Sequence, residues 1–397
     1  YLPTMKVFNN ELADILGLNT VFLNTEEGIK LLTGSINEEL EKGFTQAYSG
    51  HQFGHFTNLG DGRALMLGEH VTKSGERYDI QLKGSGSTPY SRRGDGKATL
   101  SSMLREFLIS EAVHYLNIPT TRSLAVLKTN ELVRREVMHE GAILVRVAKS
   151  HIRVGTFEYA FSNSEYSEFK KLVDYTIKRH YSDLINEDKK YNKFLLKVID
   201  NQASLIAKWQ SIGFIHGVMN TDNVLISGET IDYGPCAFMD EYNPKTVFSS
   251  IDKQGRYAYM NQPYIGSWNL ARLAETLIPL LSENKEEAVE IANKALTIYG
   301  EKYTEYWLNN MALKIGIEKI KSEDEKLIKE LLTIMEFKSL DFTNTFRLLT
   351  LRKYASLNVI ESSELIEWIK KWESRLTEQN VDIEEAVTIM KKHNPNI

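Results

Sequence analysis

Residues 216–234 read HGVMNTDNVLISGETIDYG. They put Asn223 and Asp232 on either side of a short apolar run, 224–226, and a glycine-containing turn, 227–229. An amide and a carboxylate brought together by a tight turn supply two oxygen ligands of the kind Mg²⁺ takes. The apolar run and the pair Thr230 and Ile231 have the length and composition of hairpin strands, so a hairpin is expected here.

The order of these residues is similar to a protein-kinase catalytic loop followed by its metal-binding DFG, here Asp232, Tyr233 and Gly234. The spacing of His216 and Asn223 matches HRDxxxxN. Val218 stands where the kinase has its catalytic Asp. Valine cannot accept a proton, so any proton acceptor must come from elsewhere.

Such a loop needs elements to position it. The segment 193–213 predicts a long helix with a core stripe of Phe194, Leu195, Val198, Leu205, Ile206 and Trp209, closed by Gly213 just before His216. Residues 166–181 predict another helix. Upstream, YDIQLK at 78–83 alternates as a strand ending in Lys83. Residues 100–117 predict an amphipathic helix, with Leu100, Met103, Leu104, Phe107, Leu108 and Ala112 on the 3.6-residue period and Pro119 as its stop. If Lys83 is a kinase-like strand lysine, Glu106 on this helix is its natural partner. Without Lys83, Glu106 would read as a solvent-facing acid.

Residues 124–127, 132–137 and 143–147 predict further strands of a small, mostly antiparallel sheet. Arg146 lies inside the third, and Arg153 comes after it. A buried arginine needs a partner, which a bound polyphosphate or a buried carboxylate would supply equally well. Gly60 and Gly62, in LGDGRALMLG at 59–68, suggest a hairpin that either approaches a phosphate or simply turns the chain. A second glycine-rich loop, Arg92 to Lys97, reads by itself as a solvated turn. His51 and His55 read as structural histidines rather than a metal pair.

The remaining expectations are broader. Residues 5–16 and 25–32 predict short helices in an N-terminal extension, 1–50, that packs on the sheet-forming segments after it. Residues 235–267 form a long loop region, and 268–281 predict an apolar helix. From 285 the chain is helical, with charged, solvated faces at 318–330 and 370–378.

Hydrophobic content of 42% and charged content of 25% are those of a globular protein. A net charge of −5 argues against a general nucleic-acid binder. The single cysteine, Cys236, excludes an internal disulfide and fits a reducing, cytoplasmic compartment. No apolar run approaches the roughly 20 residues of a membrane span; the longest, 270–281, contains Arg272 and Glu275. The chain starts at Tyr1 and stops at Asn396 and Ile397 without a helix stop signal, so both ends are expected to be trimmed.

The segments YSGHQFGHF at 48–56, LGDGRALMLGE at 59–69, LKGSGSTPYSRRGDGKATL at 82–100, REFLISEA at 105–112, RVAKSHIRVGTFEY at 146–159, HGVMNTDNVLI at 216–226, IDYGPCAFMDEY at 231–242 and QPYIGSWNLARLAETLIPL at 262–280 resemble the selenoprotein O family of pseudokinase-like protein adenylyltransferases. The resemblance implies an α+β, protein-kinase-like two-lobed fold. A small antiparallel-sheet N-lobe with one key helix would span 51–149, and a larger helical C-lobe 150–397. It implies ATP bound in a flipped direction, with transfer of AMP to Ser, Thr or Tyr hydroxyls of proteins and release of pyrophosphate.

By position, Gly60, Gly62, Arg63, Lys83, Asp95, Gly96, Arg146, Arg153 and Asp232 are the implied ATP contacts, and Glu106 completes the ion pair with Lys83. Asn223 and Asp232 are the implied ligands of Mg²⁺ (or Mn²⁺), and Asp222 the general base. Asp222 adjoins Asn223 and is the nearest carboxylate in the loop, where it could do what Val218 cannot. The implied partners are ATP and hydroxyl-bearing proteins, with no nucleic acid and no membrane. Some family members carry a cysteine or selenocysteine near the C-terminus; Cys236 is instead expected to be a small core residue. Alternatives left open are uridylyl transfer from UTP with Mn²⁺, an ordinary protein kinase and a non-catalytic nucleotide-binding scaffold. Val218 speaks against the kinase. The joint presence of Lys83, Glu106, Asn223 and Asp232 speaks against the scaffold.

Overall fold

The structure is a computed structural model, and it describes residues 2–34, 43–353, 363–379 and 381–395. Residues 1, 396 and 397, on which the expectation of trimmed ends rests, lie outside them. The chain forms two compact units. The first comprises Tyr1–Val198, Met219–Gly234 and Asn269–Ala292, and the second Ile199–Val218, Pro235–Trp268 and Asn293–Ile397.

In chain order the elements are β1 (Thr4–Phe8), α1 (Asn10–Leu16), α2 (Thr20–Leu23), α3 (Glu26–Leu32), β2 (Ala47–Gln52), β3 (His55–Gly60), β4 (Ala64–Val71), β5 (Arg77–Lys83), β6 (Ala98–Thr99), α4 (Leu100–Tyr115), β7 (Arg122–Arg134), β8 (Met138–Ala148), α5 (Val154–Asn163), α6 (Tyr166–His180), α7 (Lys190–Ser211), β9 (Phe214–Ile215), β10 (Ala237–Phe238), α8 (Gln262–Leu281), α9 (Lys285–Lys314), α10 (Asp324–Phe337), α11 (Phe342–Thr350), α12 (Ser363–Glu378) and α13 (Ile383–His393).

The fold is α+β, as expected. Among the described residues of the first unit, a six-stranded sheet runs β1-β7-β8-β5-β4, with β6 paired to β8. Every pairing in it is antiparallel. The period-2 pattern of β5 decides what the sheet presents. Tyr78, Ile80 and Leu82 join one apolar cluster with Leu12, Leu16, Leu124, Leu127 and Val145. Asp79, Gln81 and Lys83 alternate with them, and all three are buried. A strand therefore delivers three polar side chains into the interior, where each must find a partner.

Helix α4 packs on the same sheet. Thr99 caps it, its Oγ1 accepting from the Ser102 amide at 3.3 Å. Met103 lies in a cluster with Ala98, Val126, Ala142 and Leu144. The buried face of the helix also carries Glu106 and Glu111, while Leu108, placed on the core stripe by its period, is 69% exposed. The stripe is thus rotated toward the acids, because each has a cationic partner inside: Lys83 for Glu106 and Arg122 for Glu111.

Other expectations are corrected. Residues 5–16 are a strand followed by a helix: β1 pairs with β7, and Asn9 caps α1 through its side chain. The extension does pack on the sheet. Segment 124–127 and the first residues of 132–137, up to Arg134, are not two strands but parts of the long β7, irregular between Lys128 and Leu132, and 135–137 form the bend into β8. Strand β3 pairs with β2 and not with β4, so Gly60 and Gly62 join two sheets rather than closing a hairpin. Residues 224–231 form no hairpin ladder. Leu225 bridges to Arg153 and Thr230 to Thr120, because each side of the turn finds its backbone partner elsewhere. Helix α5 is an element that the glycine and β-branched residues of VGTFEYAFSN concealed.

The second unit is helical around its own core, in which Trp368, Trp372, Phe342 and Phe346 are buried with Ile215, Met335 and Met390. Cys236 is buried and unbonded to any other cysteine, as expected of a core residue. The apolar helix expected at 268 begins at Gln262, and the charged run from 318 becomes helical only at Asp324.

Candidate active site

The site lies within the first unit and is built on β5. Lys83, at the strand's end, extends Nζ to 2.7 Å from Glu106 Oε2 and 2.5 Å from Asp232 Oδ1. Arg146, on the neighbouring β8, donates from Nη2 to Glu106 Oε1 and, at 2.6 Å, to the same Asp232 oxygen. The partner that Arg146 required is therefore a pair of carboxylates. Its Nη1 donates to Gln81 Oε1 at 3.2 Å. Gln81 donates onward to Asp61 Oδ2 at 3.3 Å, and Asp61 Oδ1 stands 3.4 Å from Arg153 Nη1. The Arg153 guanidinium lies 4.2 Å from the centre of the Tyr48 ring. Three cations, Lys83, Arg146 and Arg153, thus alternate with three carboxylates, Glu106, Asp232 and Asp61.

Electrostatics follow from this crowding. Burial works against the charge on Asp232 and Glu106, but Lys83 and Arg146 outweigh it, and Arg153 adds to the pull on Asp232; both carboxyls sit below their ordinary range. Asp232 is therefore ionised. Its backbone is left-handed, with φ of 65°, a conformation that Asp tolerates better than most residues. Burial, aided by Arg146, pushes the Lys83 amine below its usual value.

Asp222 and Asn223 lie in the short 3₁₀ turn Thr221–Asn223, closed by the Asn223 amide donating to the Asn220 carbonyl at 2.9 Å. The Asn269 side chain donates to the Met219 carbonyl at 3.0 Å and fixes the approach to the turn. Burial lifts the Asp222 carboxyl to about 6, with Arg153 opposing. A carboxylate titrating there is suited to taking a proton near neutrality.

Other expected residues are placed apart from this network. Arg63 is exposed, although its charge acts on Lys83, and its carbonyl accepts from the Gly84 amide at 2.6 Å. Asp95 is exposed and paired with Arg135 at 2.9 Å. Gly96 sits at φ of 65° against Gly86. Gly60 and Gly62 pack under Tyr90, where a Cβ at Gly60 would come within 2.3 Å of the ring. His51 contacts Glu158 at 2.7 Å through Nδ1, in keeping with a structural role.

Sequence reasoning gave no role to Asp61, Gln81, Tyr48 or Glu158. Gln81 was findable, because it lies on the same face of β5 as Lys83. Asp61 and Tyr48 find Arg153 only through the fold.

Asn223 and Asp232 have the donor chemistry that a divalent cation carried in with a nucleotide would take. Asn223 and Asp232 offer oxygen, and Asp232 is ionised. Among the described residues no group of three or more His, Cys, Asp or Glu side chains could hold a metal unaided. A hard cation there would complete its shell from phosphate oxygens and water, as Mg²⁺ does.

The model of the family described as protein adenylyltransferase SelO matches residues 2–397. The chain belongs to this family. It is 54% identical over 395 residues to the protein nucleotidyltransferase YdiU of Geobacillus kaustophilus (strain HTA426), covering 100% of this chain and 82% of the relative. It is 56% identical over 398 residues to the protein of the same name from Clostridium perfringens (strain SM101 / Type A), covering 100% and 81%. A solved Toxoplasma gondii virulence factor, with a protein-kinase fold and no enzymatic activity, aligns over 94% of this chain and 97% of its own at 13% identity and a TM-score of 0.29, a likeness too slight to argue from. As a SelO family member the chain is a protein nucleotidyltransferase, acting on a nucleotide and on proteins. Among its described residues no helix is long and apolar enough to cross a membrane.

Proposed function

We propose that this chain transfers AMP from ATP, bound with Mg²⁺ or Mn²⁺, to Ser, Thr or Tyr hydroxyls of proteins, on a kinase-like scaffold whose N-lobe spans 51–149. The observation that carries the reading is the position of Asp222. It adjoins the metal-ligand candidate Asn223, and its carboxyl titrates near 6. Val218 occupies the place of the kinase base.

In this reading Asp222 takes the proton of the acceptor hydroxyl. The acceptor oxygen forms a bond to the α-phosphorus, and the bond from that phosphorus to the oxygen bridging to the β-phosphate breaks. Pyrophosphate leaves with the electron pair. Lys83, Arg146 and Arg153, together with Arg63, bind the phosphates and offset the charge that develops on them. Asn223 and Asp232 would hold the metal, which would supply further charge neutralisation. Three buried or near-buried cations in addition to Arg63 suit a triphosphate whose leaving group is pyrophosphate. Gly60, Gly62, Asp95 and Gly96 complete the ATP contacts in this assignment, and Glu106 holds Lys83 in line.

Intact mass after incubation with ATP and Mg²⁺, beside Asp232→Ala, tests the reading. Added AMP that is lost in the variant is expected. Added phosphate would mean a kinase, and bound ATP with no addition to any supplied protein would mean a scaffold; either overturns it. The residues named contact phosphates rather than a base, so the same assay with UTP and Mn²⁺ sets the nucleotide preference.

A further inference from the structure

Strand β2 passes directly over the turn that carries Asp222. The His51 amide donates to Thr221 Oγ1 at 2.9 Å, and the Phe53 amide to Asn220 Oδ1 at 3.3 Å. β2 is also held by α5, which borders the same turn: a Cβ at Gly155 would lie 2.0 Å from the Ser49 carbonyl oxygen and 3.3 Å from Asp222 Cα, and Glu158 meets the His51 ring at 2.7 Å. At the centre of this layer is Gly50. A Cβ built there would lie 2.3 Å from Asp222 Oδ1, 2.8 Å from its Cγ and 2.8 Å from Leu59 Cδ1. No backbone atom is among these nearest neighbours. Asp222 Oδ1 is itself buried and without a hydrogen-bond partner among the described residues. The space a side chain at position 50 would fill is the space the Asp222 carboxylate occupies.

We propose that Gly50 is a positioning residue for transfer: its bare Cα fixes the rotamer in which the Asp222 carboxylate meets the acceptor hydroxyl. The inference rests on the nucleotidyl-transfer reading and names what sets its base. A methyl group at position 50 is accommodated most cheaply by turning the Asp222 carboxylate aside, because side-chain rotation costs less than moving backbone. The damage then falls on the chemical step. Gly155 is the contrasting case. A Cβ there would lie 2.0 Å from the Ser49 carbonyl oxygen and 3.3 Å from Asp222 Cα, so backbone rather than a side chain must move.

The test uses the full chain with ATP and Mg²⁺. For wild type, Gly50→Ala, Gly155→Ala and Asp222→Asn, the measurements are kcat for AMP transfer, ATP affinity by calorimetry and the thermal midpoint. Gly50→Ala is expected to lower kcat about 100-fold, as misplacement of a reacting group by about 1 Å does, with ATP affinity within about twofold of wild type. Added to Asp222→Asn it is expected to cost nothing further, because the group it positions is already disabled. Gly155→Ala is expected to lower the thermal midpoint instead.

Wild-type kcat in Gly50→Ala, a matching loss of ATP affinity, or a full additive loss in the double variant each overturns the proposal. Should Gly50→Ala fail to fold, Thr221→Val adds no bulk and removes one of the two bonds between this segment and the turn. About tenfold lower kcat at unchanged ATP affinity supports the proposal there, and wild-type kcat overturns it. Wild-type protein that adds phosphate instead of AMP overturns the underlying reading separately, whatever the variants do.

Discussion

Lys83 Nζ lies 2.7 Å from Glu106 Oε2, and both side chains are buried. This pair ties the end of β5 to the middle of α4, and Arg146 joins it through the other Glu106 oxygen. Removing one member of a buried ionic cluster leaves the others desolvated and underpaired, at a cost of about 3–5 kcal/mol. Glu106→Gln is therefore expected to lower unfolding free energy by about that amount in urea titration. It should also raise the KM for ATP about tenfold, because Lys83 is no longer aimed. Wild-type values in both measurements would remove Glu106 from the site.

Asp232 receives both Lys83 and Arg146 on one oxygen. With Asp232→Ala those cations keep only Glu106 as a carboxylate partner, and a metal keeps only Asn223 among the proposed ligands. Nucleotide binding that depends on Mg²⁺ is expected to disappear in calorimetry, and turnover with it. Wild-type-like affinity in the presence of Mg²⁺ would sink the ligand assignment.

Asp222→Asn keeps the size of the side chain and removes its basicity. ATP affinity should hold, while kcat falls by about 10²–10⁴, the usual contribution of a positioned base. Retained turnover would remove Asp222 as the base.

The legible parts of this molecule were those written in local periodicity or spacing. The alternation of YDIQLK gave β5 and the position of Lys83, and the 3.6-residue stripe gave α4. Glu106 was nameable only through Lys83, since a single acid on a helix carries no sign of burial. The same helix shows the limit of period reasoning: Leu108 fits the stripe and is exposed, because buried acids paired with Lys83 and Arg122 turn the helix. The residues 224–231 have hairpin composition, yet their backbone partners are Arg153 and Thr120, far away in sequence. Asp61 and Tyr48 reach Arg153 only through sheet packing, so no local signal marked them. Arg146 was readable as a residue in need of a partner, but not which partner it would take.

Glu229 gives a stability test at the same turn. It is buried, its Oε2 accepts from Ser227 Oγ at 2.8 Å and from the Lys149 amide at 3.1 Å, and burial lifts its carboxyl from the usual 4.5 to about 7. The folded state then holds a proton that the unfolded state has released, so stability falls as pH rises across that interval. The contribution is fully present below pH 4.5 and is lost as pH passes about 7. Glu229→Gln, which cannot ionise, is expected to reduce the fall in thermal midpoint between pH 5 and pH 8, equivalent to about 1–3 kcal/mol. An unchanged pH profile in the variant would mean that Glu229 is ionised in the fold.

The loop after Lys83 allows binding to be separated from stability. Asp95 and Arg135 are paired on the surface, where an ion pair contributes about 0–1 kcal/mol. Asp95→Ala should accordingly leave the thermal midpoint within about 2 °C, and its assigned ATP contact should show only as a higher KM. Gly96 differs. Its φ of 65° disfavours any side chain, and a Cβ would lie 1.9 Å from the Gly86 carbonyl oxygen, opposite the bond from the Gly86 amide to the Gly96 carbonyl at 3.1 Å. Gly96→Ala must open that bond, so it is expected to cost more than about 1 kcal/mol and to raise the KM for ATP together with the loss of stability. A KM unchanged in both variants would mean that this loop does not touch the nucleotide, and would confine binding to the network of Lys83, Arg146 and Arg153.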